Sequence, residues 1–280
     1  MKNLYCLTLL VFLFSCHQDD SILPPAQNDN PFDIENLDVD INNQSQCDFI
    51  TPLYPEFAGD ELKNYIKFCF SPSTTYTYAE ARTFLYSNVD VIDGKLQCIY
   101  SGYEIELERA PSQSFINAAA EQGINCEHSY PQSMGASQEP AQSDMYHIYP
   151  ALGYVNSARS NKYYAEIPDN VTNEWFFEQQ VSTTIPTTNI DDWSENGGQT
   201  WEPREEIKGD IARGIFYFRL IYETRANQGF FTQMRQTLLD WHEADPVDQK
   251  ERNRNNKIRQ LQGNDNPFII DPELANRIFG

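Results

Sequence analysis

The sequence predicts one α+β domain, rich in helix and carrying one small β-hairpin. Three observations support this. Most periodic segments repeat their apolar residues at helical spacing, whereas strict alternation is confined to short runs. Two of those runs are joined by a brief polar loop, which is the signature of a hairpin. At 280 residues the chain is long enough for one sizeable core, and its 40% hydrophobic and 13% aromatic content is that of a folded protein.

The elements follow in order. Lys2 and the apolar stretch Leu4 to Phe14 read as an export signal, too short to span a bilayer. Leu13-Phe14-Ser15-Cys16 resembles a bacterial lipobox, with Phe14 bulkier than usual. The expected organisation is therefore a lipoprotein-type signal peptide over residues 1–15, a flexible tether over 16–46 and a folded domain over 47–280. Membrane attachment would run through a lipidated Cys16 alone. An outer-membrane lipoprotein is expected, with periplasmic or secreted protein as the alternative. The tether is rich in Asp, Asn, Gln and Pro and has no periodicity.

Gly59–Phe70 and Thr77–Asn88 have helical spacing, and Thr77 with Glu80 forms a capping-box pattern. Lys95–Leu107 alternates as one or two strands. Ile124–Tyr130 and Met145–Tyr149 are expected as the hairpin strands, joined by the loop Gln132–Ser143 and followed by a helical turn carrying Asn156 and Arg159. Asn170–Gly198 is polar and shows no clear element. Pro203 suits a first helical residue, and Ile207, Ile211, Ile215 and Leu220 form one apolar stripe after it. Phe230–Glu243 and Asp248–Leu261 are further helices, and Pro272–Phe279 closes the chain.

Cys47, Cys69, Cys98 and Cys126 remain once the export segment is set aside. An oxidising compartment favours disulfides. A Cys98–Cys126 bridge is expected, with Cys47–Cys69 following by elimination; the alternative is four buried thiols. The formal charge of −21 is unusual for a protein that binds polyanions. It is spread unevenly: from Thr200 onward thirteen acids face twelve bases, whereas residues 121–199 hold eleven acids and two bases.

The chemistry-bearing residues are concentrated in one region. Cys126-Glu127-His128-Ser129-Tyr130-Pro131 is followed by Ser143-Asp144-Met145-Tyr146-His147 and by Val155-Asn156-Ser157-Ala158-Arg159-Ser160-Asn161. A carboxylate, an imidazole and a carboxamide are the groups needed to hold a hard cation and activate water. Further on stand Trp201 to Arg213 (W-x-P-R-x-x-x-K-G-D-x-A-R), Trp241-His242, Asp245-Pro246-Val247, Glu251 to Asn255 and Gln262 to Phe268. In this order, from about Phe57 to Phe279, these motifs resemble the endonuclease I family, nucleases of the His-Me finger (ββα-metal) type.

The resemblance implies a His-Me finger core and an exported, non-specific endonuclease acting on DNA, with RNA as a second substrate class and no protein partner implied. It makes His128 the general base, and Glu127 and Asn156 the ligands of Mg²⁺, with Mn²⁺ or Ca²⁺ as alternatives. Arg159 is either a catalytic phosphate contact or an ion-pair partner. Arg204, Lys208 and Arg213, with Arg252 and Arg254, are further candidates for phosphate contacts. Asp210 is expected to pair with one of these cations. Some family members carry an arginine in an insertion between the strands; here Gln132–Ser143 has no Arg or Lys, leaving that role vacant or filled from elsewhere. Asp265 stands where a basic residue is common in the family. His147 and His242 are expected to be structural. A zinc site built from His128, His147 and His242 fits no zinc spacing. The rival reading is a surface lipoprotein that binds nucleic acid or protein without cutting.

Overall fold

The computed structural model describes Cys47 and residues 49–107 and 113–280. The expected signal peptide, tether and lipidated Cys16 lie outside the described residues. Cys47–Gly280 packs as one unit of helices and small sheets, as the α+β reading expects.

Helix α1 (Gly59–Phe70) buries Leu62, Ile66 and Phe70, spaced four apart on one stripe. Its Cys69 forms a disulfide with Cys47. Helix α2 (Tyr78–Phe84) starts with the complete Thr77/Glu80 capping box and continues into a π-helical turn, Leu85–Val89. Strands β1 (Val91–Ile92), β2 (Lys95–Gln97) and β3 (Glu104–Glu106) form an antiparallel meander. Helix α3 (Phe115–Glu121), capped by Ser114, leads into β4 (Ile124–His128). Strand β4 pairs antiparallel with β5 (Ile148–Leu152) from Ile124↔Leu152 to His128↔Ile148, and α4 (Gly153–Arg159) follows at once.

The hairpin's second strand begins later than its sequence pattern suggests. Asp144 accepts hydrogen bonds from the Tyr217 and Tyr222 hydroxyls at 2.8 and 2.7 Å, from Gln262 Nε2 at 3.0 Å and from the Tyr146 amide at 3.1 Å. That anchor bends Met145 to His147 into a turn. Residues 170–198, which show no clear element in sequence, supply three strands. They are β7 (Glu174–Phe177), β8 (Gln180–Ser182) and β9 (Ser194–Asn196). With β6 (Tyr163–Tyr164) and β10 (Thr200–Glu202) they build a five-stranded sheet ordered β6-β10-β9-β7-β8.

Helix α5 (Lys208–Ile221) starts five residues after Pro203, behind a 3-10 turn at Glu205–Ile207. Far from showing a single stripe, it is buried on almost every side, packed chiefly against α6 (Gln228–Ala244). Gly214 lets it approach the start of β5: a Cβ there would stand 2.8 Å from the Tyr149 hydroxyl oxygen and 2.9 Å from the Tyr146 carbonyl. Helices α7 (Gln249–Gln262), α8 (Pro267–Ile270) and α9 (Leu274–Phe279) complete the chain. The Gln262–Asn266 segment ties them together. Asn264 donates to Phe70 O at 2.7 Å, Asn266 caps α8, and Asp265 accepts from Asn255 at 2.6 Å.

The expected Cys98–Cys126 bridge does not form; both are buried free thiols. Strand β5 lies between them. Pro150 pairs with Cys126 on one edge and accepts the Ile99 amide on the other at 2.9 Å. The Cys98 sulfur instead accepts the Leu152 amide at 3.2 Å. Two strand spacings of about 4.8 Å exceed the Cα separation that a disulfide spans.

Candidate active site

One cleft, of about 330 Å³, is lined by Glu127, His128, Gln132, Asn156, Arg159 and Asn161 among others. The β4–β5–α4 unit assembles it. Neighbouring residues of a regular strand point to opposite faces. Glu127 and His128 can share the cleft because β4 ends at His128 and the chain turns away through Pro131.

Helix α4 is tied along β4 by its own side chains. Asn156 and Arg159 are three apart, so they share a face. The Asn156 amide nitrogen donates to Asn125 Oδ1 at 2.9 Å and to Cys126 O at 3.2 Å. A backbone carbonyl can only accept, so the orientation of this amide is set. The Asn156 side-chain oxygen is thereby left to the cleft. The Arg159 guanidinium donates to His128 O at 3.2 Å, Ser160 O at 3.0 Å and Ser129 O at 2.7 Å. It also pairs with Glu127 Oε1 at 3.2 Å and lies 4.6 Å from the centre of the Tyr164 ring. Of the two roles that the sequence leaves open for Arg159, this geometry matches the ion pair.

Glu127 is 2% exposed. Its Oε1 also accepts the Tyr100 hydroxyl at 2.6 Å, and Tyr100 is joined to Tyr164 at 2.6 Å. Burial pushes the Glu127 carboxyl above its usual range, while Arg159 and Tyr100 pull the other way. Both side-chain partners act on Oε1; Oε2 has no side-chain partner among the described residues.

The imidazole of His128 is oriented by the loop before β5. Its Nε2 lies 2.9 Å from Gln142 O, so Nε2 carries the proton and Nδ1 keeps a lone pair. Nδ1 stands 3.5 Å from the Gln132 amide nitrogen at the cleft. Burial is the main reason that the His128 pKa falls to about 3, with His147 and two guanidiniums adding to the effect. His147 donates through Nε2 to Ala141 O at 2.6 Å and packs on Phe218.

Arg204, Lys208 and Arg213 are buried and committed within the protein. Arg204 bonds Ile99 O at 3.0 Å and pairs with Glu206. Lys208 sits among Glu166, Glu202 and Glu205 at 2.7, 2.8 and 2.6 Å, so its ammonium fills the one carboxylate cluster among the described residues that resembles a metal cradle. Arg213 pairs with Glu251 at 2.7 Å and with Asp210 at 3.1 Å, as expected for Asp210. Arg254 pairs with Asp90 at 2.7 Å. None of these four cations is offered to a phosphate; Arg252 is exposed. His242 bonds Pro272 O at 2.8 Å and is not among the residues that line the cleft. Sequence reasoning did not find Tyr100, Tyr164 and Gln142, which act through a long-range hydrogen bond, a ring face and a backbone carbonyl. No residue-type pattern marks such partners.

Residues 58–273 match the family described as Endonuclease I. The chain belongs to the endonuclease I family. It is 34% identical over 172 residues to an extracellular ribonuclease of Bacillus subtilis (strain 168), covering 55% of this chain and 54% of that protein. It is 31% identical over 128 residues to an extracellular deoxyribonuclease of Aeromonas hydrophila, covering 46% and 49%. It is 27% identical over 145 residues to Endonuclease-1 of Buchnera aphidicola subsp. Baizongia pistaciae (strain Bp), covering 52% and 51%. The chain thus spans about half the length of the curated relatives it matches.

Proposed function

We propose that this protein is an exported, metal-dependent endonuclease of the ββα-metal type that hydrolyses the phosphodiester bonds of DNA, and of RNA, without reading sequence. One observation carries the reading: a neutral imidazole, its Nε2–H anchored on Gln142 O, presents Nδ1 to a cleft that also holds the oxygens of Glu127 and Asn156. Relatives named for ribonuclease and for deoxyribonuclease activity support the substrate class. Names that include extracellular support export; attachment through Cys16 belongs to this proposal too.

The donor set suits a hard divalent cation such as Mg²⁺. Asn156 holds its amide nitrogen on backbone and neighbour, which frees its oxygen. Glu127 keeps Oε2 without a side-chain partner. Two protein oxygens leave the remaining positions to water and phosphate, as such ions prefer. Bound there, the ion would supply positive charge to the phosphate and to the departing oxygen.

The residues of the chain do the rest. His128 Nδ1 accepts a proton from the attacking water. The resulting imidazolium still donates through Nε2 to Gln142 O, so the ring does not need to turn. Arg159 opposes the effect of burial on the Glu127 carboxyl and holds the carbonyls of His128 and Ser129, which fixes the strand end that bears the base. Positioning of this kind accounts for a large share of catalysis.

The test is incubation of the purified protein with supercoiled plasmid and with structured RNA, in Mg²⁺ and in EDTA. Cutting in Mg²⁺ that stops in EDTA is expected. Binding without cutting under both conditions would replace the enzyme with a non-catalytic nucleic-acid lipoprotein.

A further inference from the structure

Resting on the nuclease reading, we propose that Arg82 is the substrate-positioning cation of this site and that it contacts a phosphate next to the scissile one. Among the described residues, Arg82 and Arg252 are the cations whose side chains make neither hydrogen bond nor ion pair. Other arginines that lack a carboxylate, Arg225 and Arg235, still donate to backbone carbonyls. Arg252 is exposed on α7 and is not among the residues that line the cleft.

Arg82 is different. Its guanidinium carbon lies 4.5 Å from the centre of the Tyr78 ring. That ring also lies beside His128, with centroids 5.3 Å apart. Tyr78 therefore stands as a spacer between the proposed base and a cation. Strands carry one phosphate about every 3.4 Å of helix axis, so a strand seated at His128 presents a neighbouring phosphate to Arg82.

The side chain is prepared for such a contact. Nε of Arg82 is buried without a partner, while the terminal nitrogens also lack partners and reach solvent. A guanidinium seated over an aromatic ring keeps edge donors free for phosphate oxygens. Helix α2 is held beside the cleft loop by the Tyr78 amide, which donates to Glu139 Oε1 at 2.8 Å. That loop, Gln132–Ser143, has no Lys or Arg of its own. The bases in the W-x-P-R-x-x-x-K-G-D-x-A-R motif are spent on internal carboxylates and a carbonyl.

The experiment measures binding of a short fluorescein-labelled DNA duplex and a labelled single-stranded RNA in EDTA, across a salt series, for wild type, Arg82→Gln and Arg82→Lys. Lys63→Gln, on α1 and paired with Asp60, is the charge-matched control. Arg82→Gln is expected to weaken binding about tenfold, the scale of one charge-assisted contact. It should also flatten log Kd against log salt by about 0.9 on duplex, or about 0.7 on single strand. Arg82→Lys should keep the slope, and Lys63→Gln should keep both slope and affinity. In Mg²⁺, KM should rise in Arg82→Gln more than kcat falls. A wild type that cuts, alongside an Arg82→Gln variant with unchanged slope and KM, overturns this inference alone. A wild type that neither binds nor cuts overturns the nuclease reading and this inference with it.

Discussion

At the scale of single residues, the site depends on which atoms are already occupied. Asn156 uses its nitrogen on Asn125 and Cys126, and Glu127 uses Oε1 on Tyr100 and Arg159. Asn156→Ala should therefore shift the Mg²⁺ titration of activity to higher concentration, at a stability cost of about 1–2 kcal/mol for the two lost hydrogen bonds. An unchanged titration would remove Asn156 from the ligand set. His147 gives a prediction about pH. Burial lowers its pKa to about 4, whereas the unfolded ring titrates near about 6.5. Between those values the unfolded chain binds a proton that the folded one refuses, so stability falls as pH drops through that window. Relative to His147→Asn, the wild type should lose about 1.4 kcal/mol per pH unit near pH 5. Denaturant melts of the two proteins at pH 7 and pH 5 read this difference, and a constant gap contradicts it. That Glu127, His128 and Asn156 share one cleft is legible in the sequence through the motifs that resemble the family's. The contacts of Tyr100 and Gln142 are not, because each acts across the fold.

At the scale of elements, the sequence marks most helices but not every strand. Gly59–Phe70 shows its stripe plainly, and the capping box at Thr77 places the next helix start. The strands within 170–198 are only three or four residues long and carry polar residues, so alternation has no room to appear. Pro203 misleads because the Arg204 amide bonds Ser194 Oγ at 3.0 Å before the helix begins. The cysteines mislead because their pairing depends on which strand runs between them. The Cys47–Cys69 bridge closes a separation of 22 residues, for which chain entropy gives about 3 kcal/mol. Cys69→Ser should lower stability by about that amount while leaving the β4–β5–α4 site competent at temperatures where the protein stays folded. Thiol labelling of the denatured, unreduced 47–280 region should find two thiols, Cys98 and Cys126. A count of zero would reinstate the second bridge.

At the scale of the whole molecule, the proposed nuclease activity requires an acidic protein to bind a polyanion with few cations to spare. Most of the C-terminal bases neutralise their own chain: Lys208, Arg213, Arg219, Arg254, Arg259 and Arg277 all pair with carboxylates. These pairs hold helices together, so the near-neutral C-terminal third is not a basic groove. Nucleic-acid binding should therefore depend only weakly on salt, at about −0.9 per phosphate contact over a few contacts. A log–log slope steeper than about −6 would reveal a basic surface absent from this account. All of this rests on His128 as the base. The most direct measurement is plasmid cleavage by His128→Ala against wild type at saturating Mg²⁺ and substrate, with the Mg²⁺ midpoint taken from the same titration. The rate should fall about 10²–10⁴-fold while the midpoint stays where it was; cleavage within a few fold of wild type would contradict the assignment.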